Sequence, residues 1–357
     1  MPMPSVDVLV VGLGPAGARA AAAAAARGAR VLAVERRPRI GVPVQCAEFV
    51  PLPMGRYARE TGAWVQAIEH MTTVLPSGAT RVSDFPGMII DRATFDQGLA
   101  EQARQRGAEL RTQSPLLALD PRAGRARIRR AGETRTVAFG ALVAADGPAS
   151  TVAARLGLPP LPCVHTRQYT VPLNQGRTDT LVRLSPAFPG GYGWLFPRGG
   201  QAHLGLGMDK SRARDLKTPL EAWHRQLVNE GLVGARILAR TGGAIPVGGL
   251  RHPLCHGRVL FAGDAAGLTH PITGGGIAPA VLSGEAAGTA AAARAGGDAA
   301  APQDYAEDLQ DTYGPGLARA VDRRRELDRI WGTRRAGEDT PHRRGWIAFD
   351  EYFAATA

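Results

Sequence analysis

The sequence predicts an α/β protein in which a doubly wound domain of alternating strands and helices carries an inserted second lobe. Three observations predict this architecture. The chain opens with a strand–turn–helix–strand unit over residues 6–35, and two later apolar strands, at 142–148 and 258–267, end in turns that contain Asp and Gly. The stretch 181–208 instead alternates short strands with Gly-Pro turns, which predicts a mixed or antiparallel sheet. A chain of 357 residues is long enough for both lobes.

The opening unit has the order of a Rossmann-like fold. The apolar run 6–11 predicts a buried parallel strand, and the alanine-rich stretch 18–27 predicts a helix. The glycine-rich turn GLGPAG, at 12–17, joins them, and a second apolar strand follows at 31–34. This arrangement predicts a site for a dinucleotide.

Each glycine of the turn has a physical reason. Gly12 permits the tight turn, Gly14 lets the backbone approach a pyrophosphate, and Gly17 lets the helix pack against the strand. The helix N-terminus offers free N–H groups to the phosphates. Glu35, at the end of the second strand, is placed to accept hydrogen bonds from ribose hydroxyls. This acid favours an unphosphorylated adenosine ribose, and therefore FAD or NAD rather than NADP.

Three later segments favour FAD over NAD. Residues 89–96 lead into an amphipathic helix that runs to about residue 106, and the strand at 142–148 ends in Asp-Gly. The strand at 258–267 ends in Gly-Asp and is followed by the three glycines 274–276. A carboxylate at a strand end can bind polyol hydroxyls, and successive glycines let backbone N–H groups approach the flavin N1–O2 locus. An NAD dehydrogenase needs none of these downstream parts.

Together these segments resemble the FAD-dependent oxidoreductases with the p-hydroxybenzoate hydroxylase type of fold. In that superfamily the late strand ends in Gly-Asp, and the Asp contacts the ribityl chain of the flavin. The glycines that follow open a helix whose N-terminus faces the flavin ring. The resemblance therefore implies FAD as the cofactor.

The stretch PGGYGWLFP, at 189–197, distinguishes among such flavoenzymes. It matches the pattern P-x-x-Y-x-W-x-F-P at every specified position, which resembles the geranylgeranyl reductase family, and the resemblance extends from the first strand to about residue 290. From the residues alone, Tyr192, Trp194 and Phe196 would equally be the inward face of a core strand. The resemblance implies that they line the cavity for an isoprenoid chain. Alternation places all three on one face.

The resemblance also implies the FAD contacts and an activity. Cys46 falls where members of the family place a cysteine near the flavin ring, although its flanking sequence VPVQCAEFV departs from their glycine-rich one. The proton donor is left open among Cys46, Tyr192 and an ordered water. The implied FAD-binding residues are Gly12, Gly14, Ala16, Gly17, Glu35, Cys46, Arg92, Asp146, Asp264, Gly275, Gly276 and Ile277.

The implied activity is hydrogenation of C=C double bonds in an isoprenoid chain on a lipid, quinone, pigment or diphosphate. The expected electron donor is NAD(P)H or a reduced protein such as ferredoxin. The alternative within the same fold is an FAD-dependent aromatic hydroxylase. A flavin halogenase is disfavoured because it needs a lysine in the flavin domain, and the first lysine here is Lys210. A flavin-binding protein without turnover is the alternative from another class.

The amino-acid composition limits which nucleic acids, clusters and metal ions the protein is expected to bind. The net charge of +11 comes almost entirely from scattered arginines, which indicates a solvated basic surface rather than a nucleic-acid groove. Three cysteines without CxxC spacing fit a reducing cytoplasm and cannot hold a four-cysteine iron–sulfur cluster. His252 and His256 flank Cys255, but with no paired cluster elsewhere we predict no metal site.

The sequence also predicts the location of the protein and the limits of its domains. The N-terminus lacks the features of a signal peptide, and the apolar run 18–26 is too short to span a bilayer, so we expect a cytoplasmic protein with peripheral membrane contact left open. The aromatic C-terminal stretch 343–357 is expected to dock on the protein's own body. The predicted FAD domain comprises 1–72, 91–165 and 246–300, the substrate lobe comprises 73–90 and 166–245, and a helical region comprises 301–357.

Overall fold

A computed structural model describes residues 5–130, 132–212 and 215–354. Within these residues the strands are β1 (Ser5–Val11), β2 (Val31–Val34), β3 (Phe49–Pro51), β4 (Trp64–Val74), β5 (Thr80–Ile90), β6 (Glu109–Arg111), β7 (Leu116–Asp120), β8 (Arg125–Arg130), β9 (Glu133–Ala144), β10 (Cys163–Pro172), β11 (Asp179–Arg183), β12 (Gly193–Arg198), β13 (Gln201–Met208), β14 (Ala239–Thr241), β15 (Ala244–Pro246), β16 (Cys255–His256) and β17 (Val259–Phe261).

The helices are α1 (Pro15–Ala25), α2 (Gly55–Glu60), α3 (Arg92–Gln105), α4 (Thr151–Arg155), α5 (Lys217–Asn229), α6 (Ile277–Ala295), α7 (Ala301–Asp328) and α8 (Asp339–Gly345). Short 3₁₀ helices occur at Leu52–Met54, Gly263–Ala266, Arg334–Gly337 and Asp350–Tyr352. No helix among the described residues combines the length and the apolarity that crossing a bilayer requires.

The first sheet has the order β16–β17–β9–β1–β2–β6, with β7 and β8 added beside β9. Strands β17, β9, β1, β2 and β6 run parallel, as the strand–turn–helix–strand unit predicts. Helices cover a parallel sheet and bury both of its faces, which is why β1 and β2 are continuous apolar runs. The predicted doubly wound domain is therefore present.

Small residues let α1 and α6 pack backbone to backbone. A Cβ atom added at Gly284 or Gly288 of α6 would meet the carbonyl oxygen of Ala16 or Ala20 in α1. Both helices begin at the edge of the sheet where its parallel strands end. The close packing therefore fixes two helix N-termini relative to one another at the functional edge of the fold.

The second sheet has the order β14–β10–β13–β12–β11–β4–β5–β3, with β15 paired to β10. All of its pairs are antiparallel except the parallel pair of β11 and β4. Helix α5 covers one face, where Trp223 and Leu220 pack in a cluster with Leu195 of β12. The neighbouring residues of β12 face the other way, so the predicted mixed sheet has one face free to line a site.

The second sheet takes in more of the N-terminal half than the predicted limits give it. The boundary predicted at residue 73 lies inside β4, all of which pairs within this sheet as the long partner of β5 in a hairpin. Strand β3, at Phe49–Pro51, also pairs with β5. We therefore propose that β3 and β4 belong with the substrate lobe.

The C-terminal region is helical, and three of its aromatic residues dock on the second sheet. Trp346, Phe349 and Tyr352 are buried together with Met71 and Val182 of that sheet. Phe353 is exposed. The C-terminal region therefore closes one side of the substrate lobe.

Candidate active site

Residues of both sheets line a single large cavity of about 780 Å³. Every predicted site residue lines it except Gly17, the last residue of the glycine-rich turn, which packs against the Gly12 carbonyl. The predicted residues that do so are Gly12, Gly14, Ala16, Glu35, Cys46, Arg92, Asp146, Tyr192, Trp194, Phe196, Asp264, Gly275, Gly276 and Ile277. The cavity volume suits a cofactor together with part of a substrate.

The glycine-rich turn forms one end of the cavity. Gly12 has a φ of 98°, and a Cβ atom there would meet the backbone at Ala145. A Cβ atom at Gly17 would meet the carbonyl oxygen of Gly12, so this glycine serves close packing of the helix on the turn. At Gly14, by contrast, no heavy atom of the described residues lies within 4 Å of an added Cβ, so its backbone faces open space.

Helix α1 begins directly after this turn and presents its N-terminus to the cavity. Its N-cap is Gly14, and no side chain of the described residues caps it. The first N–H groups of the helix are therefore free to bind a pyrophosphate, and the helix dipole favours negative charge there. This end of the cavity fits the phosphates of a dinucleotide.

Glu35 lies beside the same turn. Its carboxylate accepts the N–H of Leu13 at 3.1 Å and the N–H of Arg37 at 2.9 Å. An ionised carboxylate has about four acceptor positions. Two of them are therefore available for the hydroxyls of a ribose.

Two buried aspartates lie between the turn and the second half of the cavity. Asp264 follows β17 and accepts the hydroxyl of Thr269 at 2.6 Å; burial raises the pKa of this carboxyl, against the effect of that hydrogen bond. Asp146 follows β9 and accepts the hydroxyl of Ser150 at 2.6 Å, and burial also raises its pKa. Ligand hydroxyls beside these carboxyls would replace the water that burial removes.

The three glycines Gly274–Gly276, termed the glycine run below, lead into helix α6. Gly274 has a φ of 70°, and the N-cap of α6 is Gly276, which no side chain of the described residues caps. The helix N-terminus therefore presents free N–H groups to the cavity where negative charge would develop on a reduced flavin. An extended FAD molecule fits this arrangement, in which the glycine-rich turn, Glu35, Asp264 and the glycine run all line one cavity.

His270, which the sequence reading missed, holds the loop before the glycine run. Its Nδ1 accepts the N–H groups of Ile272 and Thr273 at 3.3 and 3.2 Å. Nδ1 therefore carries no proton, and Nε2–H donates to the Tyr352 hydroxyl at 3.3 Å. Burial lowers the pKa of His270 to about 4, so the ring is neutral at physiological pH.

Tyr192, Trp194 and Phe196 line the cavity together, on the face of β12 opposite Leu195. The ring centroids of Tyr192 and Trp194 are 5.8 Å apart, and those of Tyr192 and Trp346 are 4.8 Å apart. The Tyr192 hydroxyl donates to the carbonyl of Thr273, just before the glycine run. Burial raises the pKa of this phenol, which therefore stays protonated.

These side chains form one wall of an apolar arm of the cavity. The arm is lined by Phe49, Met71, Phe85, Val182, Tyr192, Trp194, Phe196, Trp346 and Ile347. Trp346 comes from the C-terminal region, and its indole N–H donates to the hydroxyl of Thr73 in β4 at 3.1 Å. The hydrogen bond between the Tyr192 hydroxyl and the Thr273 carbonyl places one wall of this arm beside the glycine run.

Cys46 lines the same cavity as the apolar arm and the glycine run. Its Sγ accepts the N–H of Glu48 at 3.2 Å, and its carbonyl accepts the side-chain amide of Gln168 at 3.0 Å. Arg92 pairs with Asp96 at 3.1 Å through two hydrogen bonds. Burial lowers the pKa of Arg92, but Asp96 and the nearby Cys46 outweigh it and raise that pKa above its usual range. Gln168 and Glu48 have no local sequence signal, because their partners lie far along the chain.

Comparisons with known proteins agree with this site. A family model for FAD-dependent oxidoreductases matches residues 55–287, and a model for an FAD-binding domain matches residues 7–79. A digeranylgeranylglycerophospholipid reductase of Methanosarcina mazei is 32% identical over 304 residues, which cover 80% of this chain and 74% of that protein. The chain belongs to the geranylgeranyl reductase family of FAD-dependent oxidoreductases.

Other members of the geranylgeranyl reductase family match over similar lengths. The digeranylgeranylglycerophospholipid reductase of Picrophilus torridus is 31% identical over 333 residues, covering 86% of this chain and 81% of its own. A geranylgeranyl bacteriochlorophyll reductase-like protein of Thermoplasma acidophilum superposes with a TM-score of 0.83 at 27% identity, covering 92% of this chain and 91% of that one. A flavin-dependent brominase superposes with a TM-score of 0.74 at 19% identity, covering 92% and 87%, which shows a shared fold alone.

Membership of the geranylgeranyl reductase family confirms the predicted fold class, the FAD cofactor and the oxidoreductase class of the enzyme. The roles of individual residues stay predictions. Their common position around one cavity is consistent with the FAD contacts that the sequence implies.

Proposed function

We propose that this enzyme hydrogenates C=C double bonds of a geranylgeranyl-type isoprenoid chain carried on a lipid, quinone, pigment or diphosphate. The observation that carries the proposal is the apolar arm, which ends at the glycine run where the flavin ring would lie. An isoprenoid chain has few polar groups to recognise. Its binding free energy must therefore come from buried apolar area, at about 25 cal/mol per Å².

The chain itself aligns the substrate and excludes water from the reacting carbons. When bound and reduced, FAD supplies a hydride from its N5 atom. Tyr192 and Trp194 form one side of the arm, and Trp346 closes it from the C-terminal region. Closure of an apolar site against water protects a hydride donor from wasteful side reactions.

Reduction adds a hydride to one alkene carbon and a proton to the other. Because an isolated alkene is a poor hydride acceptor, the proton must arrive before or together with the hydride. The Tyr192 hydroxyl is engaged with the Thr273 carbonyl, and its pKa is raised by burial, so its proton is held in place. Cys46 also lines this cavity, and its thiol carries a transferable proton. We therefore assign proton donation to Cys46 and orientation of the glycine run to Tyr192.

The reducing equivalents would come from NAD(P)H or from a reduced protein such as ferredoxin.

A cytoplasmic enzyme acting on a lipid would also touch the membrane surface. Two exposed leucines support such contact: Leu52 directly follows Pro51, which lines the cavity, and Leu282 lies on α6 shortly after the lining residue Ala278. Exposed apolar side chains beside a lipid cavity can rest in the membrane interface.

The proposal is tested by incubating dithionite-reduced enzyme with geranylgeranylated lipids and with geranylgeranyl diphosphate, without oxygen, and measuring product masses. We expect a gain of two hydrogens for each double bond reduced. A mass gain on none of these substrates, together with oxygen-dependent hydroxylation of a phenol, would identify an aromatic hydroxylase instead.

A further inference from the structure

Glu48 is a buried carboxylate in an unusual backbone conformation, two residues after Cys46. Its side chain is 3% exposed, and its φ is 68°. A non-glycine residue rarely adopts positive φ, and such strain is retained where the surrounding contacts impose it. Glu48 also lines the cavity, so the strained residue belongs to the active-site region.

Three donors from three different elements converge on this carboxylate. The backbone N–H of Arg92, at the start of α3, donates at 2.8 Å. Arg198 Nε, at the end of β12, donates at 2.7 Å, and His203 Nε2 of β13 lies at 2.6 Å. A buried carboxylate is tolerated when its lone pairs are satisfied in this way. Burial raises the pKa of Glu48, but His203, the Arg92 N–H and Arg198 outweigh it, so the carboxylate is ionised.

The backbone of Glu48 reaches Cys46 directly. Its N–H donates to Cys46 Sγ at 3.2 Å. Its carboxylate at the same time holds Arg198, two residues after Phe196 on the strand that lines the apolar arm. One residue thus connects the thiol to the substrate-binding strand.

We propose that Glu48 is a positioning residue that fixes the Cys46 thiol relative to β12 through its buried ion pair with Arg198 and its hydrogen bond with His203. The inference deepens the proposed function, on which it rests, because it names the residue that orients the proposed proton donor. Among the described residues, the charged and titratable groups that face Cys46 include Arg92 with Asp96 from α3, Tyr192 before β12, and Glu48 itself.

The test uses the FAD-loaded enzyme and the variant Glu48→Gln, with Glu48→Asp as the conservative variant. The first readout is the rate at which iodoacetamide alkylates Cys46 as a function of pH, followed by peptide mass so that Cys163 and Cys255 are counted separately. The second is the separation of kcat from KM in isoprenoid reduction. Alkylation needs no turnover, so it distinguishes failure of this inference from failure of the proposed function.

Glu48→Gln removes a negative charge close to Cys46, one of the two carboxylates, with Asp91, that pair with Arg198, and this loss favours the Cys46 thiolate. We expect its alkylation profile to move to lower pH, with a rate at pH 7 at least roughly threefold higher, and kcat to fall at least roughly tenfold with KM within about threefold. Glu48→Asp keeps the charge and should restore most of the profile.

Glu285→Gln is the matched control, because Glu285 also pairs with an arginine, Arg19 at 2.6 Å, but does not line the cavity. It should match the wild type in both readouts. If Glu48→Gln does not retain FAD, His203→Gln, which keeps a donor toward Glu48 but loses the imidazole geometry, should lower kcat by a smaller factor and leave the alkylation profile unchanged, because the charge of Glu48 stays in place. An alkylation profile and kcat within twofold of wild type, in whichever of the two variants retains FAD, would overturn the inference.

Discussion

The indole N–H of Trp194 donates a hydrogen bond of 2.9 Å to the side-chain oxygen of Gln168, and both side chains are buried. The nitrogen of the same amide donates to the carbonyl of Cys46. Gly205, on the neighbouring strand β13, leaves room for the ring, since a Cβ atom there would meet the indole. The tryptophan of the PxxYxWxFP motif is therefore joined to the Cys46 backbone through one glutamine.

Replacing Gln168 with Leu should break this link with little change in volume. The buried N–H of Trp194 and the carbonyl of Cys46 would both lose a partner, which should lower the free energy of unfolding by about 2–4 kcal/mol. Reduction of isoprenoids should fall while FAD stays bound. Chemical unfolding and single-turnover assays measure the two effects. Gln226→Leu, on the exposed side of α5, is the control and should change stability by less than about 0.5 kcal/mol; equal effects of the two variants would contradict the linking role.

The glycine-rich turn gives a matched pair of substitutions. In Gly14→Ala the new methyl enters open space, so the free protein should keep its stability within about 0.5 kcal/mol, while FAD affinity falls roughly a hundredfold by overlap with the pyrophosphate. In Gly17→Ala the methyl meets the Gly12 carbonyl, so the protein itself should lose about 2 kcal/mol or more. Calorimetry without FAD and FAD titration separate these results. Unchanged FAD affinity in Gly14→Ala would place the pyrophosphate elsewhere.

The parts of the site that sequence could predict have local signals. The turn at Gly12 and the alternation of Trp194 and Phe196 each depend on a spacing within a few residues. The link from Trp194 through Gln168 to Cys46, by contrast, spans 122 residues between its last two members, and Trp346 bonds to Thr73 across 273 residues. Such contacts depend on strand order and register, which no local pattern encodes.

The fold shows the same division. The predicted start of the substrate lobe at residue 73 falls inside the hairpin of β4 and β5, because the start of this hairpin at Trp64 depends on pairing with Ile90. The role of the buried Glu48 carboxylate could not be predicted from the sequence. A single Glu carries no local signal, and its partners His203 and Arg198 lie beside it only because the second sheet places them there.

His270 gives a pH dependence of stability. The folded protein keeps this ring neutral to about pH 4, whereas the unfolded chain protonates it near its ordinary pKa of 6.5. The unfolded state therefore binds more protons between these values, and stability is lost as the pH falls from about 6.5 to about 4. Between these pH values, this difference in pKa of His270 should lower the free energy of unfolding by about 3 kcal/mol.

Thermal unfolding of the wild type and of His270→Gln across this range measures that contribution. The pKa values of His342 and His165 are also lowered by burial, so only the difference between the two proteins reports on His270. Parallel stability curves for the two proteins would mean that His270 is not held neutral by the fold.

Tyr192 and Cys46 should respond differently to substitution. Tyr192→Phe leaves the Thr273 carbonyl unpaired, which should cost about 1–2 kcal/mol of stability and lower turnover less than tenfold. Cys46→Ala should retain FAD but lower turnover by about 10²–10⁴-fold, as loss of a general acid does. Single-turnover rates of the two FAD-loaded variants decide this. A larger loss in Tyr192→Phe would reverse the assignment, and small losses in both would point to water as the proton donor.

The most direct measurement follows the flavin absorbance of the reduced enzyme mixed with a geranylgeranylated lipid in the absence of oxygen. If the enzyme reduces isoprenoid double bonds, the lipid alone should return the flavin to its oxidised spectrum, one flavin for each double bond reduced, and the fully saturated analogue should not. A flavin that stays reduced with the unsaturated lipid, and is oxidised only when oxygen is admitted, would rule out isoprenoid reduction.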